Sequence, residues 1–130
     1  MAFNDPISEM LTKVRNAKDA QHRYVDLRSS KMILQILEIM KRYGFVENYL
    51  VNDELKKIRV FLRYNKNRKS VINGLRRESK PGLRKYIGYQ EIPNIMNGMG
   101  LAVLTSSKGV LDGETARNLK VGGEILCTIW

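Results

Sequence analysis

Thirty consecutive residues, Lys56 to Lys85, hold twelve Lys or Arg and a single acid, Glu78. The rest of the chain holds eleven basic residues and twelve acids, so the whole net charge of +10 comes from this block. Within it, Ile58, Val60, Leu62 and Tyr64 alternate with Arg59, Phe61 and Arg63. Period-two alternation of this kind predicts a strand with one apolar face and one largely basic face. A solvated face ordinarily mixes signs, and this one does not. Concentrated positive charge draws a polyanion, because each neutralised phosphate releases condensed counterions. Charge asymmetry therefore points to nucleic acid. A basic surface kept for solubility, an acidic protein and an acidic membrane are the other readings of charge alone.

The 130 residues suffice for one or two small domains, and a hydrophobic fraction of 43% supports a core without staples. One cysteine excludes an internal disulfide and fits a reducing compartment. The N-terminal stretch Met1-Ala2-Phe3-Asn4-Asp5-Pro6 has neither a charged lead nor an apolar signal core. No apolar run is long enough to cross a bilayer. A soluble protein of cytoplasmic type is expected, with no membrane partner.

Asp5-Pro6 reads as a helix start, with Asp5 as cap and Pro6 at the first helical position. Ile7, Met10, Leu11, Val14 and Ala17 then recur at helical spacing. Tyr24–Leu27 reads as a short strand. Ser29 or Ser30 caps a second helix lined by Ile33, Ile36, Leu37 and Met40, which Gly44 ends. Phe45–Val51 and Ile58–Tyr64 predict a hairpin turned by Asn52-Asp53-Glu54. Asn65-Lys66-Asn67-Arg68-Lys69, with no apolar residue, is the expected interdomain link. The second half is richer in strand, with candidates at Val71–Glu78, Leu83–Ile87 and Leu101–Leu104. A turn is expected at Ser79-Lys80-Pro81-Gly82 and a loop around Ile92-Pro93-Asn94. A short helix capped by Asp112 and running through Leu119 should follow. A last strand, Glu124–Trp130, would place Ile125, Cys127 and Ile129 on one face. The expected fold is α+β in two small domains. One, 1–65, is helix-strand-helix-strand-strand; the other, 66–130, is strand-rich with one short helix.

Thr105-Ser106-Ser107-Lys108-Gly109 is the strongest candidate site. Its hydroxyls can donate to and accept from phosphate, sugar and base edges, Lys108 can meet a phosphate, and Gly109 permits close backbone approach. A strand-to-helix turn whose hydroxyls satisfy local backbone is an equally good account of these residues taken alone. Tyr86, beside Arg84 and Lys85, could stack on a base or pack within a strand. Glu124, after Gly122-Gly123, could accept from a base amino group or simply open a strand. Gly98-Met99-Gly100 lacks the third glycine of a dinucleotide loop and precedes a strand, where it should follow one. His22 reads as a solvated histidine and Cys127 as a buried small hydrophobe. Nothing here pairs a nucleophile with a base, and no cofactor or metal is expected.

Three segments together carry a resemblance. They are Asp5–Ala17, the stretch Ser79-Lys80-Pro81-Gly82-Leu83-Arg84 with Tyr86, and a tail running from Gly98-Met99-Gly100 through Gly109-Val110 and Ala116-Arg117 to Gly122–Trp130. In that order they resemble the small ribosomal subunit protein S8 family in its bacterial form. The resemblance implies a non-enzymatic binder of the central domain of small-subunit ribosomal RNA that supports subunit assembly, with neighbouring ribosomal proteins as further partners. Some members also bind their own messenger RNA. It implies that Thr105, Ser106, Ser107, Lys108 and Gly109 enter the groove of an irregular RNA helix. Tyr86 would stack or pack there, and Glu124 would hydrogen-bond nearby. Lys13, Arg15 and Lys31 would touch phosphates of neighbouring RNA. The basic block, through Lys66, Arg68, Lys69, Arg76, Arg77, Arg84 and Lys85, would supply sequence-tolerant attraction. Two departures stand out: Gly113, which should weaken the start of the last helix, and Thr128, where an aromatic is common. The rival readings are an enzyme acting on RNA through Lys108 or Glu124, and a basic module that binds acidic protein.

Overall fold

The computed structural model describes residues 5–130; the first four residues of the N-terminal stretch lie outside it. The protein is α+β and divides into two compact units, residues 6–73 and residues 74–130 with Asp5.

In the first unit, α1 (Pro6–Asp19) buries Ile7, Met10, Leu11, Val14 and Ala17, the stripe its spacing predicts. β1 (Tyr24–Arg28) follows, then α2 (Lys31–Arg42). Ser30, not Ser29, is the α2 cap, its Oγ accepting the Ile33 N–H at 3.1 Å. That bond satisfies an amide the helix leaves orphaned, worth about 1 kcal/mol. Gly44, at φ 80°, turns the chain out of the helix. β2 (Val46–Asn52) and β3 (Lys57–Leu62) form the expected hairpin, in which Asn52 Oδ1 accepts the Leu55 N–H at 3.1 Å. The three antiparallel strands lie in the order β1-β3-β2. Leu27, Ile58, Val60 and Leu62 are buried, whereas Asp26, Arg59 and Leu50, in register across all three strands, are exposed. Asn65–Lys69 is a tight turn: Asn65 Oδ1 accepts from Asn67 and Lys69 amides at 2.8 and 3.0 Å.

The second unit is built on β8 (Gly123–Ile129). One side of β8 pairs with β4 (Leu75–Arg77) and β5 (Tyr86–Ile87), and the other with β6 (Leu101–Ser106). β6 pairs onward with β7 (Gly109–Asp112). The strands expected over 71–78 and 83–87 are therefore much shorter, because only Leu75–Arg77 and Tyr86–Ile87 find a ladder on β8. α3 (Gly113–Asn118) packs Ala116 against Ile92, Ala102, Leu104 and Ile125. It starts at Gly113 despite the poor propensity there, since Asp112 accepts the Thr115 N–H at 3.2 Å.

Two expectations need correction. No strand is expected at 109–112, and a strand-to-helix turn is one of two accounts of Thr105–Gly109; the loop is instead the tip of a hairpin. The faces of the last strand also differ. The β6–β8 register shifts so that Leu104 pairs with Ile125 while Val103 pairs with Cys127, leaving Leu126 as the extra residue. A bulge of this kind flips the side-chain phase. Ile125 therefore joins the core under α3, and Cys127 lies on the opposite face.

Candidate nucleic-acid interface

Register brings three of the sequence candidates into one row. Tyr86 on β5 pairs with Glu124 on β8, Glu124 pairs with Thr105 on β6, and Thr105 pairs with Val110 on β7. Paired residues in antiparallel ladders project to the same side. Tyr86, Glu124 and Thr105 thus share the face opposite Ile87, Ile125 and Leu104, which face α3. Tyr86 is 69% exposed, so its ring is available for stacking.

The hydroxyl loop caps this face as the tip of the β6–β7 hairpin. Ser106 pairs with Gly109, and Ser107-Lys108 form the two-residue turn. Gly109, at φ 101°, supplies the left-handed residue through which the chain rejoins the ladder. Ser106 Oγ donates to the Gly109 carbonyl and accepts the Lys108 N–H, both at 3.1 Å. Its hydroxyl is thus engaged in holding the turn. The side chains of Thr105, Ser107 and Lys108 form no hydrogen bond or ion pair among the described residues, and Ser107 and Lys108 are exposed.

Glu124 is held from two directions. Ser79 Oγ donates to Glu124 Oε2 at 2.5 Å, and Arg84 Nη1 donates to the same oxygen at 2.9 Å. Oε1 takes neither bond, and the side chain is 12% exposed. Partial burial works to raise the Glu124 pKa, but the bonds from Ser79 and Arg84 outweigh it and hold the carboxyl below its ordinary value. The group is an anion with one oxygen fixed and the other open, suited to accept from an amino or ribose hydroxyl group.

Gly123, just before it, has a packing reason. A Cβ there would sit 2.1 Å from the Thr105 carbonyl oxygen, so the close approach of β8 to β6 at this row requires glycine.

The remaining cations divide. Arg84 flanks the row through Glu124. Lys85 and Arg76 meet at Glu78, at 3.3 and 3.6 Å, with Thr128 Oγ1 donating to the same carboxylate at 3.0 Å. Thr128 is thereby a buried hydrogen-bond donor. Arg77 is different. Its Nε and Nη2 donate to the two Asp5 oxygens at 3.0 and 3.1 Å, and Nη1 donates to the Leu126 carbonyl at 2.7 Å. With its side chain 9% exposed and spent on these bonds, it is a structural arginine, although its ladder places it on the same side of the sheet as Glu124.

In the first unit, Lys13 pairs with Glu9 at 3.2 Å along α1, Arg15 is half-buried, and Lys31 is exposed at the start of α2. Lys66, Arg68 and Lys69 are exposed on the 65–69 turn, where Gln21 Nε2 donates to the Arg68 carbonyl at 3.1 Å. His22 is exposed, as expected. Cys127 is fully buried, and burial pushes its thiol up to about 12, leaving it unreactive. Sequence reasoning missed Ser79, which was read only as part of a turn. It also missed the Asp5–Arg77 pair, since no local signal relates residues so far apart in the chain.

An exposed aromatic, a fixed carboxylate and a hydroxyl-lined hairpin tip on one sheet, with Arg84 and Lys108 beside them, are the features of a basic protein of the binding class. The family described as Ribosomal protein S8 matches residues 5–130, and the chain belongs to it. The chain is 50% identical to the small ribosomal subunit protein uS8 of Protochlamydia amoebophila, over 100% of both chains. It is 47% identical to the uS8 protein of Chlamydia abortus over 98% of this chain and 97% of that one. The uS8 protein of Acholeplasma laidlawii is 45% identical over the full length of both. The chain is thus a protein of the small ribosomal subunit, from a structural family and not an enzymatic one.

Proposed function

We propose that the protein binds the central domain of small-subunit ribosomal RNA directly and supports subunit assembly, with the second unit, residues 74–130, making the selective contact. The single observation that carries this reading is the row Tyr86–Glu124–Thr105 ending at the Ser107-Lys108 tip. A regular A-form helix hides base edges in a deep, narrow groove, so a shallow polar face of this kind suits an irregular helix with unstacked bases. Tyr86 stacks, Glu124 Oε1 accepts, and Thr105 and Ser107 bond to ribose or base edges. Lys108, Arg84, Lys85 and Arg76 neutralise phosphates nearby. In the first unit, Lys13, Arg15, Lys31, Lys66, Arg68 and Lys69 add attraction with no sequence preference. A messenger RNA folded to the same irregular shape would bind the same face, which gives the protein a route to its own transcript. Neighbouring ribosomal proteins complete its surroundings.

Crosslinking from Tyr86 and Thr105 within intact small subunits tests the reading. Attachment of both to neighbouring nucleotides of the central domain is expected. Attachment to protein alone, or to RNA elsewhere, overturns it.

A further inference from the structure

The first unit carries an open groove of about 810 Å³ where the β2–β3 hairpin turns beside the exposed side of its sheet. Leu50, Val51 and Leu55 line it and are 57%, 42% and 65% exposed. Three isolated aliphatics would need no explanation, but three in one concavity do. A groove of this volume is in the range that holds several side chains of a bound segment.

The charge of the groove runs against the rest of the protein. Arg59 grips Asp26 with two bonds, at 2.9 and 3.2 Å, while its guanidinium lies 4.1 Å from the centre of the Tyr24 ring. That pair is neutral and held in place. What remains is Asp53 and Glu54 against Lys57, none of whose side chains forms a hydrogen bond or ion pair among the described residues, though the Lys57 charge also acts on Asp26. A chain of net charge +10 thus presents a locally acidic concavity with an aliphatic floor. RNA phosphates would have to approach Asp53 and Glu54 there, which Lys57 balances only in part, and the floor offers bases no aromatic face to stack on. A cationic peptide meets both features at once, because Lys and Arg carry an apolar stem and a charged head. The groove also adjoins β2, an edge of its sheet, so an extended segment can lie along it.

We propose that this groove docks a basic, aliphatic-bearing segment of another protein of the small subunit. Its aliphatic side chains cover Leu50, Val51 and Leu55, and its Lys or Arg residues meet Asp53 and Glu54. The groove is separate from the face proposed to bind RNA, and the proposal does not depend on that reading.

The test uses assembled small subunits carrying a benzophenone photocrosslinker at position 55. Irradiation should attach it to a protein peptide rich in Lys or Arg. Combining the crosslinker with Asp53→Lys and Glu54→Lys should lower the yield at least tenfold in subunits that still assemble. If the paired reversal prevents assembly, Asp53→Asn with Glu54→Gln takes its place, with at least a threefold loss expected. Attachment mainly to RNA, attachment to an acidic peptide, no adduct, or a yield indifferent to these substitutions overturns the proposal.

Discussion

The hydroxyl of Ser79 donates to Glu124 Oε2 at 2.5 Å and accepts the Lys85 N–H at 2.9 Å. One fully buried side chain thus fixes both the carboxylate of the candidate face and the backbone leading into Tyr86. Its own amide is bonded to the Ile125 carbonyl at 3.0 Å, which locks it onto β8. Ser79→Ala leaves the Lys85 amide without its acceptor and Glu124 with Arg84 alone. The loss should be about 1–3 kcal/mol of stability, measured by denaturant unfolding. Affinity for cognate RNA should fall more than affinity for random RNA.

Glu124 also gives a pH signature. Its pKa in the folded protein lies below the ordinary 4.5. Across that interval the unfolded chain binds more protons than the native one, so this contribution to stability is complete above pH 4.5 and is lost as pH falls through the folded value. Glu124→Gln should lose less stability than the parent on acidification below pH 4.5. Asp26, also lowered, chiefly by its bond from Arg59, keeps titrating in both proteins. Identical acid limbs in the two unfolding profiles would show that Glu124 is not held as described.

Arg77 tests the distinction between structural and RNA-facing cations. Arg77→Ala removes both bonds that the guanidinium makes to the Asp5 carboxylate, in a site where that side chain is 12% exposed. Breaking such a pair costs about 3–5 kcal/mol. Arg77→Lys should recover only part, since an ammonium cannot reproduce the two-pronged contact. Arg68→Ala, on an exposed turn, should leave stability nearly unchanged and reduce the salt dependence of RNA binding by roughly 0.7–0.9 in log–log slope. Thermal unfolding and salt titration of the pair separate the two roles.

Gly123→Ala places a methyl against backbone, 2.1 Å from the Thr105 oxygen, and no side chain can move aside. Strand β8 must shift at the row that holds Glu124. Loss of about 2 kcal/mol or more is expected, of the order overpacking commonly costs, together with weakened selective RNA binding. Gly82→Ala, where an added Cβ meets nothing within 4 Å, is the control and should be close to neutral.

The helices of the first unit were legible because local chemistry decides them. Ser30, Gly44 and the apolar stripes of α1 and α2 act within a few residues of where they sit. The β6–β7 hairpin was hidden because Ser107-Lys108 lacks the Asn-Gly type of signal, and its left-handed residue, Gly109, follows the turn. The bulge at Leu126 leaves no mark in a run of apolar residues, so the faces of β8 could not be phased from the sequence. Of the candidate site, the hydroxyl tip, Tyr86 and Glu124 were visible as residue types, whereas their alignment in one row depends on ladders between distant strands. Arg77 looked like its exposed neighbours, since burial against Asp5 is a tertiary fact.

Selective binding by the second unit is tested most directly by competition at moderate ionic strength. The purified protein is titrated with a central-domain fragment of small-subunit RNA, and separately with a scrambled fragment of equal length. The parent should prefer the cognate fragment, and Ser107→Ala and Tyr86→Ala should each erode that preference by about 1–3 kcal/mol while leaving scrambled RNA almost unaffected. Equal affinity for both fragments, or variants that lose both alike, would contradict the account.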